Sequence, residues 1–376
     1  MNTQFTARTT APFRYDVVGS FLRPQALKQA REAFHKGTLT QAQLTAVEDD
    51  CIRALVEKEM ELGLHSVTDG EFRRSYWHLD FMWGLDGIDH VKLDHGYFFH
   101  GEETRADSAR VCGKIKFSSH PFIDHYKFLK KIAASRAIAK QTIPAPAQCF
   151  AELVRGENEQ YLNAVYPDRE ALYQDLSTAY HDFILALYDT GCRSLQLDDC
   201  TWGMLCDQNF WRGMAGEGYN PQALQKLYLR LNNDAIADLP DDLTVTTHVC
   251  RGNYHSTWAT SGGYEPVSET LFGGENVSAY YLEFDDDRSG DFAPLAKISG
   301  EKLVVLGLIT SKYPKLEDRE KIISRIHEAS AYVPLDRLCL SPQCGFASTE
   351  EGNILTEEDQ WAKIRLVKEI AEQVWG

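Results

Sequence analysis

Eight short runs rich in β-branched and aliphatic residues recur along the chain, each followed by a turn signal and then by a segment of helical period. They cover residues 15–20, 65–70, 139–146, 193–199, 243–250, 279–285, 302–310 and 338–342. Several are nearly continuous apolar, as parallel strands buried on both faces must be. Amphipathic segments at 40–62, 168–190, 221–237, 317–330 and 356–374 lie among them, and Thr40 and Thr356 supply start signals. Strands alternating with helices predict an α/β fold of (β/α)8 TIM-barrel type.

A chain of 376 residues suits one such barrel with an insertion, so residues 1–376 are expected to form a single catalytic domain. The stretch 72–131 is too long for a simple crossover after the second strand. Within it, residues 91–104 and 110–117 read as a two-stranded excursion, and the stretch is expected to lie over the barrel mouth. Neither an internal repeat nor a dividing linker is evident.

Net charge of −16 opposes nucleic acid and anionic membrane surfaces as partners, which leaves small-molecule chemistry as the expectation. The opening residues carry no apolar run of signal-peptide length, and no later run approaches a membrane span. Nine cysteines without an export signal favour reduced thiols, so a cytoplasmic location is expected.

In a barrel of this kind the active site sits at the carboxyl ends of the strands. His248 and Cys250 end the fifth run, and a spacing of two along a strand turns both side chains to one face. Glu283 lies near the end of the sixth run and Cys344 just past the eighth. Two thiolates, one imidazole and one carboxylate suit tetrahedral zinc, and the carboxylate is the ligand most easily displaced. Taken singly, His248 reads as a satisfied polar residue and Cys344 as a small buried hydrophobe; their joint placement is what points to a metal. Cys339 reads as core, Cys200 and Cys206 as structural, and the remaining cysteines show no ligand spacing.

Ser20, the pair Asp69 and Glu71, and the pair Asp198 and Asp199 are further polar strand ends. Helix capping is the plain reading of Asp198 or Asp199. Together, carboxylates at the mouth could hold the ammonium group of an amino acid, while Ser20 and nearby amides hold its carboxylate.

At these residues the sequence resembles the cobalamin-independent methionine synthase family in its short, single-barrel form. The motifs are Val-Gly-Ser-Phe (18–21), Asp-Gly-Glu-Phe-Arg (69–73), Leu-Gln-Leu-Asp (195–198), His-Val-Cys (248–250) with Glu283, and Pro-Gln-Cys-Gly (342–345). The resemblance implies zinc held by His248, Cys250, Glu283 and Cys344, with Ser20, Glu71 and Asp198 contacting homocysteine. Glu283 and Asp198 would then be the catalytic carboxylates. The homocysteine thiol would join the zinc, lose its proton and accept a methyl group.

Two departures bear on the donor. The amino-terminal barrel of the long members is missing, and residues 307–312 read Gly-Leu-Ile-Thr-Ser-Lys where folate-dependent members carry a histidine. Without an acid a tertiary amine is a poor leaving group, so methyltetrahydrofolate is expected to be a poor donor. A methylcorrinoid delivered by a methyl-carrier protein and a small methyl-sulfur compound remain as alternatives; for a folate donor, Lys312 could serve as the acid only with a substantially lowered pKa, and His78, His100 or His255 could approach from a loop. Other readings stay open: a zinc alkyltransferase for another thiol, similar to the epoxyalkane:coenzyme M transferases, with Arg73, Arg74 or Arg251 holding a sulfonate; a zinc-binding accessory barrel; or a tetrapyrrole-type decarboxylase, which has no use for the thiols.

Overall fold

Near-continuous apolar runs can be buried on both faces only if helices cover them, and the chain arranges itself accordingly. The computed structural model describes residues 8–216 and 220–376. Its strands, in chain order, are β1 (Ser66–Val67), β2 (Asp86–Lys92), β3 (Phe98–Phe99), β4 (Glu102–Glu103), β5 (Asp107–Lys116), β6 (Ile138–Ala139), β7 (Gln141–Pro144), β8 (Ser194–Asp199), β9 (Thr244–Val249), β10 (Ala279–Glu283), β11 (Leu303–Ile309) and β12 (Leu338–Pro342). β7 to β12 form one six-stranded parallel sheet in sequential order, and β1 pairs in parallel with β6. Each parallel step needs a crossover. Arg169–Asp189, Pro221–Ala235, Ser268–Gly274 and Arg319–Ala329 supply helical crossovers, and Glu357–Trp375 closes the chain. All seven residues of β11 are buried.

Helix starts follow the sequence signals. Thr40 and Thr356 each form a capping box, with Gln43 and Asp359 respectively, satisfying backbone donors that the first turn leaves free. Register then brings the polar strand ends to one level: Asp198 pairs with His248, Val249 with Leu282, Glu283 with Gly307, and Gly307 with Ser341.

The first run behaves differently from a full strand. Tyr15 makes a single parallel bridge to Leu340, where Asp16 N donates to Leu340 O (3.0 Å) and Leu340 N donates to Arg14 O (2.9 Å). Beyond it, side chains take the carbonyls that a neighbouring strand would satisfy. Lys140 Nζ donates to Val17 O, Gln196 Nε2 to Val18 O (2.8 Å) and Thr68 Oγ1 to Gly19 O (2.6 Å). Val18, Tyr281, Val305 and Cys339 form a small apolar cluster apart from the main core, so Cys339 is core as its sequence position suggests.

The excursion after β1 is also more elaborate than a single two-stranded unit. β2 pairs antiparallel with β5 from Asp86 onward, and β3 and β4 form a separate small hairpin. Among the described residues, no helix is long and apolar enough to cross a membrane.

Lys140 anchors the polar layer beneath the strand ends. Its ammonium lies 3.3 Å from Asp16 Oδ1 and 3.3 Å from Gln196 Oε1, and Asp16 also accepts from Tyr281 Oη at 2.9 Å. Lys140→Met would leave the Asp16 carboxylate buried without its cation. It is expected to destabilise the fold by about 3–5 kcal/mol, measurable by urea unfolding.

Candidate metal centre and its cavity

Four potential ligand atoms, one each from His248, Cys250, Glu283 and Cys344, lie within 4.8 Å of one another, and all four residues are buried. β9 carries His248 near its end and Cys250 just beyond it, β10 ends on Glu283, and Cys344 follows β12 by two residues. The two sulfurs are 3.6 Å apart. His248 Nδ1 faces Tyr281 O at 3.2 Å, and a carbonyl can only accept, so Nδ1 carries a proton and Nε2 is the nitrogen left for a metal. That Nε2 has no hydrogen-bond partner. Arg251 N donates to Glu283 Oε1 at 2.9 Å, which leaves Oε2 as a second buried atom without a partner.

Buried polar atoms without partners are costly, and here two of them converge with two sulfurs. Contact with Cys200 pushes the Cys250 thiol well above its ordinary range, and contact with Cys250 does the same to Cys344; burial adds to both. A divalent cation reverses that effect, because a coordinated thiol is deprotonated outright. The donor set of one imidazole, two sulfurs and one carboxylate therefore fits zinc in type, number and closeness.

Beside the cluster stand the residues expected to receive an amino acid. Glu71 has a left-handed backbone (φ 62°), a conformation rare outside glycine, and Asp69 Oδ1 accepts from its amide at 2.9 Å. Glu71 Oε1 accepts from Thr142 Oγ1 at 2.8 Å and lies 3.2 Å from Arg74, whereas Oε2 is buried without a partner. Burial and the neighbouring Glu71 push the Asp198 carboxyl well above its usual range, and Gln196 Nε2 donates to it at 2.7 Å. Two facing carboxylates with one buried free oxygen make a site for a cation. Asp199 turns the other way, capping Thr201 N (2.9 Å) and accepting from Asn232 Nδ2 (2.9 Å), so it is structural. Ser20 reaches the cavity beside Gly345, where an added Cβ would come within 1.9 Å of Ser20 Oγ.

One cavity joins Ser20, Glu71, Asp198, His248, Cys250 and Cys344. Its aromatic lining includes Tyr76, Trp77, Tyr97, Phe98, Phe99 and Tyr254. The β3–β4 hairpin and the loop after β9 meet over it. Phe99 packs on Tyr254 (5.4 Å between centroids), His100 stacks on Trp258 (4.9 Å), and His255 lies 3.4 Å from Glu102. Of the three histidines considered from sequence, only His78 is among the residues lining the cavity.

The cations named from sequence are engaged elsewhere. Lys312 lies 2.9 Å from Asp285, whose charge holds the Lys312 ammonium above its ordinary range despite burial. Arg73 pairs with Glu48 (3.0 Å) and Asp49, Arg74 bonds Thr142, and Arg251 is held by Gly262 O and Tyr264. A sulfonate would find each of them already paired. Sequence reasoning missed two cavity residues. Cys200, read as structural, meets Cys250, and His78 was considered only as an acid among three. The apolar excursion that folds back over the strand ends was the available signal for His78.

Residues 13–372 match the family model described as "Cobalamin-independent synthase, Catalytic domain". The chain is 49% identical over 366 residues to the uncharacterized protein YxjH of Bacillus subtilis (strain 168), covering 97% of this chain and 95% of that protein. A crystal structure from Listeria monocytogenes, provisionally named a vitamin-B12 independent methionine synthase, superposes with a TM-score of 0.78 at 42% identity, covering 98% of this chain and 100% of that one. The fold is also that of a B12-independent methionine synthase from Shewanella sp. W3-18-1, solved in complex with selenomethionine (TM-score 0.71, 20% identity, 96% and 97% covered).

The Ser20–Gly345 approach yields a direct test. Gly345→Ala must push Ser20 aside, with an overpacking cost of about 1–3 kcal/mol, read as a lowered urea midpoint.

Proposed function

The chain belongs to the cobalamin-independent methionine synthase family, and from that premise we propose that it is a zinc-dependent methyltransferase converting homocysteine to methionine. The observation that carries this reading is the buried cluster of two thiols, the unpartnered His248 Nε2 and the unpartnered Glu283 Oε2, of which His248, Cys250 and Cys344 line the same cavity as Glu71 and Asp198.

Bound zinc supplies Lewis acidity, which lowers the pKa of a thiol that reaches it to the point where the nucleophile is available at neutral pH. The chain's own residues do the rest. His248, Cys250, Glu283 and Cys344 would hold the metal. Glu283, whose other oxygen accepts from Arg251 N, would be the ligand held least tightly. Glu71 and Asp198 grip the substrate ammonium, Ser20 takes its carboxylate, and Asp198 thereby aims the sulfur at the cluster. The interlocked aromatic roof excludes water from the reacting atoms.

The six-stranded sheet, the β1–β6 pair and the Tyr15–Leu340 bridge are read as one closed (β/α)8 barrel over residues 1–376, of which 1–7 and 217–219 lie outside the described residues, with residues 72–131 as the insertion over its mouth. A cytoplasmic location is inferred from nine cysteines, all free. The partners are homocysteine and a small methyl donor, with nucleic acid and membranes disfavoured by the charge of −16.

One zinc per chain is expected after gentle purification. Cys344→Ser is expected to reduce metal content sharply in elemental analysis, and full occupancy in that variant would refute the site. Glu71→Gln and Asp198→Asn are expected to weaken homocysteine binding by about 1.5–3 kcal/mol per charged hydrogen bond while zinc stays bound, as followed by calorimetry. Unchanged affinity in both would remove the amino-acid pocket.

A further inference from the structure

His78 is a cavity residue for which the reading above has no use. It is 3% exposed, and neither ring nitrogen has a hydrogen-bond partner. Its ring lies 4.6 Å from Trp77, 5.6 Å from Tyr97 and 6.1 Å from Tyr76. Three rings and one unsatisfied imidazole thus form a wall in the cavity that also holds the thiol cluster and the two carboxylates. Burial, helped by Arg155, pushes the imidazole down to about 3, so it offers a lone pair and an N–H without positive charge.

The second substrate must place its methyl carbon in line with the nucleophilic sulfur, and this wall is where the rest of that molecule can lie. Its leaving group decides what the wall must provide. A methyl on nitrogen departs from an amine that needs a proton in the transition state. The acidic groups of this wall are committed or disarmed, and Asp198, elsewhere in the lining, is taken up by the substrate ammonium. Tyr97 Oη donates to Glu152, Tyr76 Oη to Arg105 O (3.0 Å), and the Lys312 ammonium is held by Asp285 outside the lining. A methyl on a positively charged sulfur departs from a neutral thioether and needs no proton. Aromatic rings and nearby carboxylates also favour a cation over a neutral molecule.

We propose that the methyl donor is a methylsulfonium compound, received by the wall of Tyr76, Trp77 and Tyr97 with the His78 imidazole facing its charged sulfur. This rests on the homocysteine methyltransferase reading. The thiol sulfur bonds the methyl carbon, the carbon–sulfonium bond breaks, and its electron pair stays on the departing sulfur. The thiol proton passes to water, so the step balances without oxidant, reductant or acid. A corrinoid carried on a protein would first have to part the stacked Phe99–Tyr254 and His100–Trp258 roof.

The test uses zinc-loaded protein. Calorimetric titration with homocysteine examines the underlying reading alone, and absence of binding sinks both it and the proposal. With binding established, deuterium-labelled homocysteine is supplied in turn with S-methyl-L-methionine, S-adenosyl-L-methionine, methyltetrahydrofolate and methylcobalamin, and methionine that carries the label is measured. At least one sulfonium compound is expected to outpace both others, and which one does so identifies the size of the bound group. His78→Arg is expected to raise KM for that donor by about tenfold or more through like-charge repulsion, with homocysteine affinity and zinc content retained. His78→Gln, which keeps a neutral polar group in the wall, is expected to raise that KM by much less than His78→Arg does, because it adds no like charge. Trimethylsulfonium titrated into the unaltered protein supplies an arm independent of any variant, and it is expected to bind more tightly than neutral dimethyl sulfide. Turnover from methyltetrahydrofolate or methylcobalamin but from neither sulfonium compound, or trimethylsulfonium binding no better than dimethyl sulfide, overturns the proposal.

Discussion

Parallel pairing in register from β8 through β12 determines where each polar side chain of the cavity comes to lie. A one-residue slip would turn His248 and Glu283 from one face of their strands to the other, because successive side chains alternate. The apolar bodies of these strands, buried between helices and the interior cluster, fix that register. Their polar last residues therefore converge without a dedicated scaffold. Close packing completes the convergence: the turn after β12 passes so near Ser20 that a Cβ at position 345 would displace the Ser20 hydroxyl.

The second constraint is electrostatic. Glu71 and Asp198 line one cavity with the two thiols, Glu283 joins those thiols in the ligand cluster, and the fixed cations nearby already have partners. Arg74 lies against Glu71, Lys140 against Asp16, and Lys312 against Asp285. Such a centre is poised to receive positive charge from outside the chain. A divalent metal, an amino-acid ammonium and a sulfonium donor would each relieve a separate part of it, and the left-handed backbone at Glu71 shows local strain held at this spot.

Much of this was legible in the sequence, for identifiable reasons. β8 to β12 announce themselves as apolar runs with polar ends, so His248, Cys250, Glu283 and Cys344 could be placed on one rim before any coordinates. The capping threonines at 40 and 356 marked their helices to within a residue. Residues 15–20 read as a strand yet pair only at Tyr15, because Lys140, Gln196 and Thr68 satisfy the following carbonyls with side chains, and no local pattern encodes that. Cys200 and His78 were missed as site residues for a related cause. Cys200 becomes a neighbour of Cys250 only once β8 and β9 pair, and His78 becomes a cavity wall only once the excursion folds back over the strand ends.

The central claim is that the His248, Cys250, Glu283 and Cys344 cluster binds zinc and yields the carboxylate position to the substrate thiol. Zinc-edge X-ray absorption of the purified protein, with and without homocysteine, tests it most directly. The account predicts two sulfur neighbours and two nitrogen or oxygen neighbours in the resting protein, changing to three sulfur neighbours when homocysteine is added. An unchanged coordination shell, or four protein ligands that homocysteine cannot displace, would contradict it.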